Sequence, residues 1–242
     1  MKLSPNATLA DIASNQPSLL RELEQLGLDY CCGGHRSLDE ACRQQGLDAD
    51  AVVVALEHKA PSTEAPAEWL ALSPAELVDH LEATHHHYLK QELPRLDELA
   101  AKVSRIHGTI HPELNDVAAT VAEIRADLEP HLRREEEMLF PMIRTLSSAT
   151  SKPSFACGSI RNPITVLEAE HMVVGGLLAR LRELTDGYQA PTDTCASTQG
   201  LMVGLAQLEA DTHLHVHKEN NHLFPTVTAK EAGLCACSSS DG

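Results

Sequence analysis

Two stretches of this chain pair an imidazole with a carboxylate at helical spacing. His131 and Glu135 precede Leu139-Phe140-Pro141, and His215 and Glu219 precede Leu223-Phe224-Pro225. Both read H-x-x-x-E-x-x-x-L-F-P, and they lie 84 residues apart (215 minus 131). In an α-helix residues four apart share a face, so each stretch aims a nitrogen and an oxygen donor the same way. Two such pairs on facing helices are how a bundle builds a metal site in its core. Two further histidines complete the pattern. His86 precedes His131 by 45 residues (131 minus 86), and His171 precedes His215 by 44 (215 minus 171). Each half is then a helical hairpin, and the predicted core collects His86, His131, Glu135, His171, His215 and Glu219.

Two octahedral metals offer about twelve positions, of which two bridging carboxylates and four imidazoles fill about eight. The remaining positions suit a bridging oxygen and exchangeable ligands. No thiolate belongs to the set, which argues against a tetrahedral structural zinc site. Nitrogen and carboxylate donors around a metal pair suit iron, ahead of manganese or zinc. A single histidine on an apolar seam is usually a satisfied core residue, but four in corresponding places, two with a glutamate, argue for ligation. His80, His85, His87, His213, His217 and His222 are left over, and read as solvated groups or as partners that hold the ligands. The first helix is ambiguous: extending the seam from Val78 and Leu81 selects His85 rather than His86, and the repeat spacing does not decide between them.

The elements that must position these groups are helices. Aromatic residues make up 3% of the chain, and Ala, Leu and Glu are abundant, a composition that favours helix over strand. Ser73-Pro74-Ala75-Glu76 marks a helix start, and that helix runs to about Ile106 before the turn at His107-Gly108. A second starts at His111-Pro112-Glu113. Its seam of Val117, Val121, Ile124 and Leu128 leads into His131 and Glu135, then Met138 and Met142. A third begins at Asn162-Pro163 with Ile164, Leu167, His171, Val174 and Leu178 in line. The fourth carries Leu201, Leu205, Leu208, Thr212, His215 and Glu219. The predicted fold is therefore all-α, an up-down four-helix bundle over residues 73–232.

A small helical unit precedes it, over residues 1–58. Leu9, Ile12, Leu19, Leu23 and Leu26 recur at helical spacing up to Gly27, and further helices are predicted through Leu38 to Cys42 and around 51–58. Between them stands Asp29-Tyr30-Cys31-Cys32-Gly33-Gly34. Buried, inert cysteines are one reading of Cys31 and Cys32; a thiol pair for redox or soft-metal chemistry, or for contact with a client, is the other. The Pro- and Ala-rich residues 59–72 read as a linker. Residues 233–242, with Cys235 and Cys237, read as a frayed tail with no assigned role.

The 242 residues carry 19 Lys and Arg against 35 Asp and Glu, a net charge of −16, which disfavours nucleic acid and anionic membranes. No apolar leader or membrane-length run is present. Seven cysteines do not form an evident disulfide framework, so a reducing, cytoplasmic location is expected. Asn6-Ala7-Thr8 is then a chance glycosylation match.

At these residues the chain resembles the di-iron iron–sulfur cluster repair proteins (the RIC family, ScdA/YtfE-like). The resemblance rests on the Asp29 to Gly34 stretch, on Glu170-His171 with Gly175, on His107-Gly108 and His111-Pro112, and on the two H-x-x-x-E-x-x-x-L-F-P units. It implies a hemerythrin-like bundle with a non-haem di-iron centre, in which His86, His131, His171 and His215 are terminal ligands and Glu135 and Glu219 bridge. It favours His86 over His85, because two residues separate the family ligand from an L-x-x-E-L-P segment matched by Leu89 to Pro94. The implied role is restoring iron–sulfur clusters damaged by oxidative or nitrosative stress by supplying iron, with damaged iron–sulfur proteins as partners and Cys31 and Cys32 as thiols that receive iron or meet the client. The alternatives are an oxygen- or nitric oxide-binding sensor and a nitric oxide reductase; repair by iron donation would not require enzymatic turnover. Monomer and homodimer are both compatible with the sequence.

Overall fold

The structure, a computed structural model, describes residues 3–60 and 67–237, with side chains to residue 234. Residues 61–66 of the expected linker, the Cys235 and Cys237 side chains and residues 238–242 of the expected tail lie outside the described residues. Among the described residues there is no β-strand, only isolated bridges at Thr8–Ser37 and Phe155–Gly158.

In the N-terminal unit, α1 (Leu9–Asn15) is capped by Thr8, whose hydroxyl accepts from the Asp11 N–H at 3.1 Å. Pro17 opens a 3₁₀ turn leading into α2 (Leu20–Gln25). The chain leaves α2 through Gly27 at φ +66°, a left-handed conformation that glycine adopts without a Cβ clash. The helix α3 (Leu38–Gln44) starts on a Ser37–Glu40 capping box, and α4 (Ala49–Lys59) on Asp48. Leu9, Ile12, Leu23, Leu38 and Leu56 close a core that also includes Val216 from the bundle. At roughly 1.5–3 kcal/mol for each fully buried aliphatic side chain, that cluster orders the unit and docks it.

The bundle comprises four long rods. The first is α5 (Pro74–Leu81), a π-turn (Glu82–His86) and α6 (His87–His107). The second is α7 (Glu113–Arg134), a π-turn (Glu135–Leu139) and α8 (Phe140–Ser148). The third, α9 (Arg161–Leu184), is unbroken. The fourth is α10 (Ala196–Lys218), a π-turn (Glu219–Leu223) and α11 (Phe224–Cys237). Two apolar clusters fill it. Leu96, Val121, Leu178 and Leu205 belong to one, and Leu81, Phe140, Ile143 and Leu223 to the other. The six inward His and Glu residues form a polar layer between them.

Two boundaries differ from expectation. Trp69, placed by the sequence in the linker, sits in the 3₁₀ turn Glu68–Ala71 and is 8% exposed against the second cluster, because its indole has more apolar area to bury than a linker would hide. The last helix continues to Cys237, five residues past residue 232 (237 minus 232), since no Pro interrupts that stretch.

The N-terminal unit is fastened beside the fourth rod's π-turn. His217 Nδ1 donates to the Tyr30 carbonyl at 3.2 Å and its Nε2 meets the Ser14 hydroxyl at 3.0 Å. Burial pushes the His217 pKa down to about 4, so the ring is neutral here. Asn221 Nδ2 donates to the carbonyls of Tyr30 at 3.2 Å and Cys31 at 2.9 Å. A Cβ on Gly34 would stand 2.5 Å from Asn221 Oδ1 and 2.6 Å from the Tyr30 oxygen, so only glycine permits this approach.

Candidate metal centre

The structure brings His86, His131, Glu135, His171, His215 and Glu219 into one layer. All are buried, with exposures of 0–2%. Their donor atoms form two quartets, His86/Glu135/His215/Glu219 and His131/Glu135/His171/Glu219, each with its donors within 4.8 Å of one another. Both carboxylates belong to both quartets, and each divides its oxygens. Glu135 Oε2 lies 3.3 Å from His86 Nε2, and Oε1 lies 3.2 Å from His131 Nε2. Glu219 Oε1 lies 3.3 Å from His215 Nε2, and Oε2 lies 3.3 Å from His171 Nε2. Adjacent ligands on an octahedral ion with bonds of about 2.1 Å stand roughly 3 Å apart, so these spacings suit two cations bridged by two carboxylates.

Partner counting gives the same answer. The Nε2 atoms of His86 and His215 and all four oxygens of Glu135 and Glu219 are buried without a geometrically satisfactory hydrogen bond. Buried carboxylates left in that condition are costly. The Nε2 atoms of His131 and His171 face each other at 3.1 Å, an arrangement that repels unless a cation, a metal ion or a proton, lies between the lone pairs. The donor set therefore fits a pair of divalent cations.

The outward nitrogens explain why the inward ones point as they do. His86 Nδ1 meets Glu136 Oε1 at 2.8 Å, His131 Nδ1 meets Glu170 Oε2 at 2.8 Å and His171 Nδ1 meets Asn220 Oδ1 at 2.9 Å. Each acceptor holds the proton on Nδ1 and leaves the Nε2 lone pair for the metal layer. Lys90 and Arg134 in turn bind Glu136 and Glu170. The phenylalanines of the two Leu-Phe-Pro units cover the rings from outside. Phe140 lies 5.2 Å from His86 and Phe224 is stacked 6.1 Å from His171. An Asn220→Ala variant is expected to bind metal about 10- to 100-fold more weakly through the loss of His171 orientation, read by competition with a chromophoric chelator; an unchanged affinity would remove Asn220 from the site.

The π-turn places His86, rather than His85, in this layer. A step from Leu81 to His85 is four residues, as an α-helix requires, whereas Leu81 to His86 is five, the step of a π-turn. The Glu82–His86 turn supplies it, and His86 faces the metal layer. His85 is also buried, but it stacks on His215 at 5.4 Å and bonds Asp211 at 2.8 Å and Lys218 at 2.7 Å. The three π-turns each carry one of the inward groups, His86, Glu135 and Glu219.

Sequence reasoning missed Glu136, Asn220, Lys218 and Asp211, and gave Glu170 no role. Internal symmetry offered a signal. Glu136 and Asn220 each follow a repeat glutamate, and Arg134 and Lys218 each precede one. The symmetry breaks where Glu170 precedes His171 but His85 precedes His86, and His215 Nδ1 alone among the four outward nitrogens has no partner. Lys218, buried among His80, His85 and the Trp69 ring, has its pKa lowered by burial to about 8.

A four-rod bundle with four imidazoles and two shared carboxylates facing inward defines a metal-binding bundle of the hemerythrin type. Residues 77–227 match the hemerythrin HHE cation binding domain, and residues 5–60 match the ScdA N-terminal domain, described as of unknown function (DUF542). The chain is 31% identical over 225 residues to the iron-sulfur cluster repair protein YtfE of Enterobacter sp. (strain 638), covering 92% of this chain and 97% of that one. It is 33% identical over 223 residues to a probable iron-sulfur cluster repair protein of Haemophilus influenzae, covering 90% and 95%, and 31% identical over 225 residues to YtfE of Escherichia coli O1:K1 / APEC, covering 92% and 97%. The chain belongs to the hemerythrin-domain family of iron–sulfur cluster repair proteins. The class implies iron as the bound metal. No helix among the described residues is long and apolar enough to cross a membrane.

Proposed function

We propose that the chain holds two iron ions and supplies iron for the repair of iron–sulfur clusters damaged by oxidative or nitrosative stress. The observation that carries this reading is the pair of quartets sharing Glu135 and Glu219, in a chain whose relatives bear the repair name over nearly their whole length. In this reading His86 and His215 would hold one ion and His131 and His171 the other, with Glu135 and Glu219 able to offer an oxygen to each. Bound there, iron supplies a redox-active, exchangeable cation pair. The chain's own residues do the rest. Glu136, Glu170 and Asn220 keep the imidazoles in the ligating tautomer, while Phe140, Phe224 and the two apolar clusters exclude bulk water. Carboxylates and imidazoles release a cation when they take protons, which suits delivery better than permanent storage. The docked thiol loop at Cys31 and Cys32 gives iron or a client a place to meet the bundle, which an oxygen carrier would not need.

The test loads the full chain with 57Fe and incubates it anaerobically with an apo ferredoxin, sulfide and a thiol. The expected result is 57Fe in the rebuilt cluster, read by Mössbauer spectroscopy, at a rate that free 57Fe held by an excess of chelator does not match. A cluster that forms only from chelatable free iron overturns the reading.

A further inference from the structure

Asp29, Cys31 and Cys32 take no part in the bundle's metal layer, yet they converge. Their donor atoms lie within 4.8 Å of one another, on the wall of a cavity of about 370 Å³ between the N-terminal unit and α9. The structure assigns to these three side chains a second, mononuclear site for a thiophilic divalent cation, with a remaining position open to that cavity. The site rests on its own geometry; the repair reading would only supply its use.

The distances fit such an ion. Two thiolates at about 2.3 Å from a tetrahedral cation stand about 3.8 Å apart, and the Cys31 and Cys32 sulfurs are 3.9 Å apart. Asp29 Oδ1 lies 3.2 Å from the Cys31 sulfur, against about 3.6 Å expected between a carboxylate oxygen and a thiolate on that ion, so a shift of a few tenths of an ångström closes the site. The carboxylate is held in place for this. Its Oδ1 accepts from the Cys31 and Cys32 N–H groups at 3.1 and 2.9 Å, and Arg36 lies 3.3 Å from Oδ2. Asn221 fixes the Cys31 carbonyl, so the loop need not be ordered by the ion.

The surroundings leave room. Cys32 Sγ faces Gly175 on α9, where even an added Cβ would be 4.0 Å away, and nothing lies within 4 Å of the Cβ position of Gly176. Gly175 is one helical turn beyond His171, so the site neighbours the bundle's metal layer without sharing a ligand. Two sulfurs and one oxygen select zinc, ferrous iron or cadmium over magnesium and calcium. Without an ion the Cys31 thiol stays protonated, because its contact with Cys32 and its burial push its pKa well above the ordinary thiol value. The entering cation replaces the Cys31 S–H···Asp29 hydrogen bond, and the two thiol protons pass to solvent.

The test titrates Cd²⁺ into the iron-loaded full chain carrying Cys235→Ala and Cys237→Ala, in excess Mg²⁺. Thiolate-to-cadmium charge-transfer absorption is expected to saturate at one ion per chain, with two protons released. Adding Cys31→Ser and Cys32→Ser should abolish the band, and Asp29→Asn should weaken binding roughly 10-fold or more; unchanged iron content and helicity report intact folding in each. Absence of the band, or a band untouched by the Cys31→Ser and Cys32→Ser changes, overturns the site. Neither result bears on 57Fe transfer, so this inference and the repair reading fail separately.

Discussion

Replacing Glu135 by alanine should empty both metal positions, whereas replacing His171 by alanine should empty one. The difference follows from membership: Glu135 lends an oxygen to each quartet, while His171 belongs to a single quartet. Metal content per chain is expected to fall from about two ions to nearly none in Glu135→Ala and to about one in His171→Ala. Stability should follow content. Each site occupied at a thousandfold excess over Kd adds about 4 kcal/mol to the folded state, and 1 kcal/mol moves Tm by roughly 2–4 °C at this size. The metal-replete melting point of Glu135→Ala should then lie roughly 15–30 °C below that of the parent chain, with His171→Ala between them. Elemental analysis after anaerobic purification and a thermal scan decide this. One ion retained in Glu135→Ala would mean that this carboxylate does not bridge.

Acidity should act in opposite directions on the metal-free and metal-loaded chain. In the metal-free chain burial works against a charged His131, but the charge of Glu135 3.2 Å away, with Glu219 and Glu170 behind it, outweighs burial and raises the imidazole to about 9. The same ion pair holds the Glu135 carboxyl well below its usual range, against its burial. A proton thus occupies the place of a metal at neutral pH. Because the folded value lies above the unfolded value of about 6.5, the stabilisation is complete below pH 6.5 and is lost as pH rises through 9. A shift of that size corresponds to on the order of 3 kcal/mol. Urea unfolding of chelator-stripped chain should therefore show lower stability at pH 9.5 than at pH 6.5. Metal affinity should run the other way. Binding needs the Nε2 lone pair, so affinity should rise about tenfold per pH unit for each proton displaced, or about 100-fold between pH 6 and 8 from His131 alone. A metal-free chain that gains stability on going alkaline would remove the His131–Glu135 pair from this account.

Much of the molecule was legible in its sequence. The capping box at Ser73, the seams of α7 and α9 and the turn at His107-Gly108 are local features, set by three- and four-residue spacing, and they define the bundle. The repeated H-x-x-x-E units placed two imidazoles and two carboxylates on inward faces for the same local reason. What tertiary structure decided is longer in range. The partners of the outward nitrogens lie 50, 39 and 49 residues away in the chain, at Glu136, Glu170 and Asn220, and no local pattern pairs them. The Leu-Phe-Pro units acquire their purpose only when Phe140 and Phe224 meet rings from the opposite rod of each hairpin. His86 rather than His85 faces the metal layer because of one residue of extra winding between α5 and α6. A seam counted at helical spacing assumes uniform pitch, and that pitch changes where packing a polar layer between two apolar clusters makes the π-turn worth its cost.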